Sequence, residues 1–218
     1  PHHTPTRRQR QMCIRDSTLG ALDDTPVDSD RRGVALNAIR ALGLLKDQRA
    51  DAPLRDRLHS NDYNVREEAA RSLGTMGSPA AAGAIRSLLA SGVEGAGREQ
   101  PSSPLLQEPC EALLEALGDI GINDAATLAT LKPFTQHPRP LICSAACRAL
   151  LQLTGDSHWG EQLIQLLQHT EPLVRRGALL DLGATDWTAA ATTISTAAVE
   201  PSLKLVALRG LVEKSGDL

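Results

Sequence analysis

A ten-residue pattern that occurs six times limits this chain to a helical repeat array. Counting Val174 as position zero, Val174, Ala178 and Leu182 stand at positions zero, four and eight. On a helix turning 100° per residue they fall within about 80° of one another, which makes one buried stripe. The pattern starts again at Val34, Val65, Pro109, Ile142 and Leu203, with alanine at position four and glycine at position nine recurring through the set. The starts lie about 31 residues apart, except for one longer step containing SGVEGAGREQPSSP, residues 91–104, which reads as a loop insertion. A period of that length holds two short helices and two turns.

The composition agrees. Of 218 residues 41% are apolar but only 2% aromatic, so the core has to be built from Leu, Ala, Ile and Val, as suits helices packed closely on small residues. A net charge of −3 argues against a nucleic-acid groove or an anionic membrane surface as the main partner. No apolar run approaches the roughly 18 residues that a bilayer span needs, and no secretory signal is evident, so a cytoplasmic location is expected.

Residues 1–17, PHHTPTRRQRQMCIRDS, show no helical or strand period. They are expected to be disordered, and RRQRQMCIRDS resembles translated sequencing-adapter read-through, so this stretch is set apart from the natural chain. Residues 18–218 form the repeat domain. Ser29 or Asp30 can cap a helix over 34–45, and further helices are predicted over 51–58, 63–74 after Asn61-Asp62, 80–89, 105–117, 124–131, 141–153, 157–167, 173–182, 186–197 and 202–213. No segment alternates convincingly as a strand. The predicted fold is all-α, a right-handed α-solenoid of about six HEAT-like hairpins in which each repeat touches mainly its neighbours.

Positions six and seven of the pattern carry the polar exceptions. Position seven is small in five repeats but is Asp181 in the fifth, on the inward stripe, where a carboxylate needs a partner such as a turn amide or an arginine. Position six reads Arg40, Arg71, Glu115, Arg148, Leu180 and Arg209, a ladder that stacking would align and that acidic groups in adjacent turns could pair. Arg175, Arg176 and Lys204 form a second basic group, readable as solvated surface. Trp159 and Trp187 begin equivalent helices and can staple one repeat to the next. Cys110 and Cys143 occupy equivalent positions on neighbouring helices, too far apart for a comfortable disulfide, and Cys143 and Cys147 lie one turn apart with no convergent histidine or aspartate. They read as reduced thiols in apolar packing, no metal site is expected, and no histidine pairs with an evident nucleophile.

The VR-x-x-A-x-x-x-LG core resembles the short HEAT-like repeats named after phycobilisome lyases. Residues 173–213, LVRRGALLDLGATDWTAAATTISTAAVEPSLKLVALRGLVE, are similar to the closing repeats of the E-type subunit of bilin lyases. The resemblance implies a subunit that binds an open-chain tetrapyrrole and adds an acceptor cysteine of a phycobiliprotein α-subunit to the ring A ethylidene group. A phycobilin then enters as substrate, with no permanently bound cofactor, and an F-type lyase subunit is expected as heterodimer partner. Asp181 becomes the catalytic candidate, accepting from pyrrole N–H groups and holding the bilin protonated. Arg148, Arg175, Arg176, Lys204 and Arg209 become candidates for binding bilin propionates or a partner, and Trp187 for stacking on a flat conjugated ligand. The rival reading is a non-catalytic HEAT-repeat scaffold or chaperone-like protein that binds phycobiliproteins or another protein.

Overall fold

The computed structural model of the chain describes the backbone of residues 29–216 and the side chains of residues 32–216. The expectations for residues 1–17 lie outside the described residues, as do the side chains of the expected caps Ser29 and Asp30, whose backbone already belongs to the first helix. The chain runs α1 (Ser29–Leu45), α2 (Asp51–Arg57), α3 (Tyr63–Met76), α4 (Pro79–Leu89), the short α5 (Gly92–Gly95), α6 (Cys110–Ile120), α7 (Ala125–Leu131), α8 (Pro140–Thr154), α9 (Ser157–Leu166), α10 (Pro172–Gly183), α11 (Ala191–Thr196) and α12 (Pro201–Ser215). Tight 3-10 turns occupy Gln48–Ala50, Lys132–Gln136 and Thr188–Ala190. The start signals work as chemistry requires. Asp62, Asp124 and Asp156 accept from the backbone N–H groups of Asn64, Thr127 and His158 at 2.9, 2.7 and 3.0 Å. Pro79, Pro140, Pro172 and Pro201 each open a helix where no amide hydrogen is needed.

Helices α1, α3, α6, α8, α10 and α12 carry the repeated pattern and stack side by side in one row; α2, α4, α7, α9 and α11 pack against them from the other side. The result is the all-α solenoid expected. The ends of the first and last pattern helices line one cleft, which puts this row on the inside of the curve. No helix among the described residues is long and apolar enough to cross a membrane.

Glycine at position nine sets the spacing of the inner row. A Cβ on Gly43, Gly74 or Gly118 would lie 2.8, 2.9 or 2.8 Å from the Cα of Ser72, Ala116 or Ala149, and one on Gly183 would lie 2.5 Å from the Cα of Ala207. These helices touch backbone to backbone, so Gly183→Val must push α12 off α10. It is expected to cost about 2 kcal/mol, measured as a lower urea midpoint. In α8 this position is Leu151, which is buried with Cys147, Ala178, Leu179 and Leu182 in a second apolar cluster; the larger first cluster runs from Ile39 to Leu153. Trp159 packs against both clusters.

Four expectations need correction. Val34 is 59% exposed, because α1 buries Ala35, Ala38, Ile39 and Leu42, a stripe turned by one residue from the pattern. The helix expected from residue 105 begins at Cys110. Residues 98–107 instead fold back on themselves, with Gln100 N–H donating to Leu105 O and Gln107 N–H to Arg98 O, both at 2.8 Å, and with one isolated antiparallel bridge between Glu99 and Leu106. The insertion thus reaches to Pro109 and is tied down by Arg66, which donates to Gln107 O at 2.9 Å, and by His137 Nε2 against Gly97 O at 3.0 Å. Finally, the helix expected over 186–197 is a 3-10 turn followed by the short α11, with Trp187 before both.

Candidate functional site

Along the inner row, charged side chains from four successive repeats join into one network. Arg71 pairs in close contact with Glu115 and reaches Glu67 at 3.3 Å and Glu111 at 3.8 Å. Arg148 pairs with Asp119 at 2.9 Å, Asp181 at 3.6 Å and Glu115 at 3.7 Å. Ser144 donates its hydroxyl to Asp181 in a close hydrogen bond, and Gln152 donates to Asp119 at 3.1 Å and to Ala184 O at 3.0 Å. Helical register explains the assembly: position two of one repeat, as in Ser144, faces position seven of the next, as in Asp181, and the arginines of position six lie between them.

Five carboxylates thus share two guanidiniums. Burial alone would lower Arg71 and Arg148, but the surrounding carboxylates outweigh it and raise both. Burial also raises Asp181, against the opposing pull of Arg148 and Ser144. Glu115 shows the excess of acid most clearly. Burial, with help from the Asp181 and Glu111 charges, overcomes Arg71 and Arg148 and moves its carboxyl from 4.5 to about 7. Between those values the folded chain keeps a proton that the unfolded chain has lost, so the wild-type protein is expected to lose stability as pH rises through that window. Glu115→Gln is expected to flatten the decline, read from urea midpoints at intervals from pH 4 to 8; an unchanged slope would place the titrating group elsewhere.

Two clefts flank the network. One of about 210 Å³ is lined by Tyr63, Glu67, Glu111, Leu105 and Arg139 among others, so the insertion forms a wall of it. The other, of about 390 Å³, lies where the inner helices end and is lined by Lys46, residues 74–77, Asp119, Arg148 and Lys214. The network therefore connects an acidic opening to a basic one.

Known proteins share this architecture. HEAT repeats, as a family, match residues 26–100. The bilin biosynthesis protein RpcE of Synechococcus sp. WH8020 is 53% identical over 212 residues, covering 97% of this chain and 80% of its own length. The phycocyanobilin lyase subunit alpha of Picosynechococcus sp. PCC 7002 is 43% identical over 200 residues, covering 91% and 74%. The chain belongs to the phycocyanobilin lyase α-subunit family. Among solved structures, the complex of CpcE and CpcF of phycocyanin lyase from Nostoc sp. PCC7120 superposes with a TM-score of 0.83 at 36% identity, covering 99% of this chain and 86% of the matched one.

Within this family member the residues singled out from sequence fall into two groups. Asp181 and Arg148 meet in the network. Asp181 is buried and already bonded to Ser144 and Arg148. The remaining candidates bond elsewhere. Arg175 donates to His169 O and Thr170 O at 2.8 and 2.9 Å, Arg176 pairs with Glu200, and Lys204 donates to Ser195 O at 3.1 Å. The two arginines line a separate cleft of about 210 Å³ with Ala198 and Glu200. Arg209 pairs with Glu213 on its own helix at 2.6 Å, and Arg40 with Glu68 of the next repeat at 2.8 Å. Trp187 lies against Gly160 of α9 so closely that a Cβ there would be 2.3 Å from its ring, which makes it a staple between repeats. Cys110, Cys143 and Cys147 are free thiols; burial raises all three, Cys110 and Cys147 to about 12, so none is an ionised nucleophile near neutrality.

Glu67, Glu111, Asp119, Ser144 and Gln152 belong to the network but were not legible as site residues. One signal was available: Glu67 and Glu111 both stand at position two of consecutive repeats, aligned like the arginines of position six.

Proposed function

We propose that the chain is an E-type phycobilin lyase subunit. It binds an open-chain tetrapyrrole as substrate in the cytoplasm and, with an F-type subunit, attaches it to a cysteine of a phycobiliprotein α-subunit. The observation that carries this reading is the match to a bilin biosynthesis protein across 97% of the chain and to a phycocyanobilin lyase α-subunit across 91%, joined to a network whose acid excess borders an open cleft. The chemistry needs little from the lyase itself. The acceptor sulfur bonds to the ring A ethylidene carbon and the thiol proton ends on the adjoining ring carbon, so no oxidant or reductant is consumed. What the lyase must supply is orientation and a protonated tetrapyrrole, which is the more electrophilic form.

Glu67 and Glu111, at the edge of the cleft, are the carboxylates placed to accept pyrrole N–H groups. Glu115, titrating near neutrality behind them, keeps a proton within the same network. Asp181 is a positioning residue that holds Arg148, and through it Glu115 and Asp119, in place. The test is co-expression of the chain with an F-type subunit, a phycobiliprotein α-subunit and a bilin-producing pathway, followed by zinc-induced fluorescence of the denatured acceptor. Covalent fluorescence that depends on the chain supports the lyase. A folded chain that binds the acceptor and yields no adduct would make it a scaffold.

A further inference from the structure

Three cations converge on the cleft of about 390 Å³ where the inner helices end. Lys46 follows α1 in the left-handed region, φ 50°, a backbone conformation that a residue with a Cβ adopts only under constraint. Lys214 sits in the last turn of α12, so the first and last pattern helices bring their lysines to the same opening. Among the described residues neither ammonium has a carboxylate at ion-pair distance, in contrast to Arg32, Arg40, Arg71, Arg148, Arg176 and Arg209. Arg148 lines the cleft too, and its Nε is buried without a hydrogen-bond partner while its terminal nitrogens are engaged by acids. Against these three positive groups the lining sets one negative one, Asp119. The opening thus carries two uncompensated positive charges beside an unfilled buried donor, which suits a ligand bearing two carboxylates.

We infer that this cleft is a dicarboxylate subsite that grips the two propionates of the tetrapyrrole with Lys46 and Lys214, one ammonium to each carboxylate. The inference rests on the lyase reading above and extends it by fixing the orientation of the substrate. Along α6 the eight residues from Glu111 to Asp119 separate the acidic cleft from the basic one by roughly 12 Å. A tetrapyrrole lying along the inner row can therefore present its N–H groups to Glu67 and Glu111 and its propionates to the lysines. Opposite charges at the two openings would exclude the reversed placement.

The experiment titrates phycocyanobilin and its propionate dimethyl ester into the full chain bound to its F-type partner, and follows visible absorbance. The wild-type complex is expected to bind the free acid at least about tenfold more tightly than the ester. Lys46→Gln with Lys214→Gln is expected to abolish that preference by weakening the acid alone, with an unchanged thermal melt since both side chains are exposed. Equal affinity of the wild type for acid and ester, or a preference that survives the double variant, would overturn the subsite and leave the lyase reading standing. Binding of neither form by the wild-type complex would overturn both.

Discussion

Arg148→Ala is expected to cost about 3–5 kcal/mol of folding stability, the largest loss of any single change in the charge network. The reason lies in what the guanidinium leaves behind. It alone joins Asp119, Glu115 and Asp181, and its side chain is only 12% exposed. Without it Asp181 keeps only the Ser144 hydroxyl, and Glu115 is left with Arg71, which already serves Glu67 and Glu111. The unpaired acids would then take up protons, so the deficit should shrink as pH falls from 8 to 5. Arg148→Lys should recover only part of the loss, because a point charge cannot reach three carboxylates spread over two helices. Urea unfolding at pH 7.5 measures the cost; a loss below about 1 kcal/mol would mean that the network is worth no more than exposed surface pairs.

Chromophore attachment is expected to fall about a hundredfold in the double variant Glu67→Gln with Glu111→Gln, at nearly unchanged stability. Both side chains are partly open, 37% and 42% exposed, and line the acidic cleft. Arg71 retains its close contact with Glu115, so little of the fold depends on either residue. The amides preserve shape while removing the charge that would stabilise a tetrapyrrole cation. Initial rates of covalent adduct formation, measured beside a thermal melt, separate the two effects. A rate within twofold of wild type would remove these carboxylates from the chemistry.

The helices were legible because their signals are local: alanine and leucine at the helical period, aspartate caps, proline at first turns and glycine where neighbouring backbones touch. Asp181 was legible as a residue in need of a partner, and that Arg148 is the partner follows from register once repeats stack. Other features depend on geometry that no local pattern encodes. Asp119 lies beyond Gly118, at the end of the pattern, and enters the network only because Arg148 of the next repeat reaches back to it. The insertion looked like a plain loop, yet its inward hydrogen bonds to Arg66 and His137 make it a wall. Lys46 and Lys214 stand at opposite ends of the sequence, and only the summed curvature of six repeats brings them to one cleft. Arg175, Arg176 and Lys204 show the converse, a basic cluster in sequence whose members each bond to a separate backbone or acidic partner.

The most direct test of the charge network as a chromophore site is the pH dependence of the visible absorbance of a bilin bound to the chain and its F-type partner. A bilin held against this excess of carboxylate should keep the red-shifted spectrum of the protonated tetrapyrrole well above the pH at which free bilin loses it. Glu67→Gln with Glu111→Gln should return the transition toward that of free bilin. A bound bilin that titrates as it does in water, with the same curve in wild type and variant, would contradict the assignment and leave the network a purely structural brace between repeats.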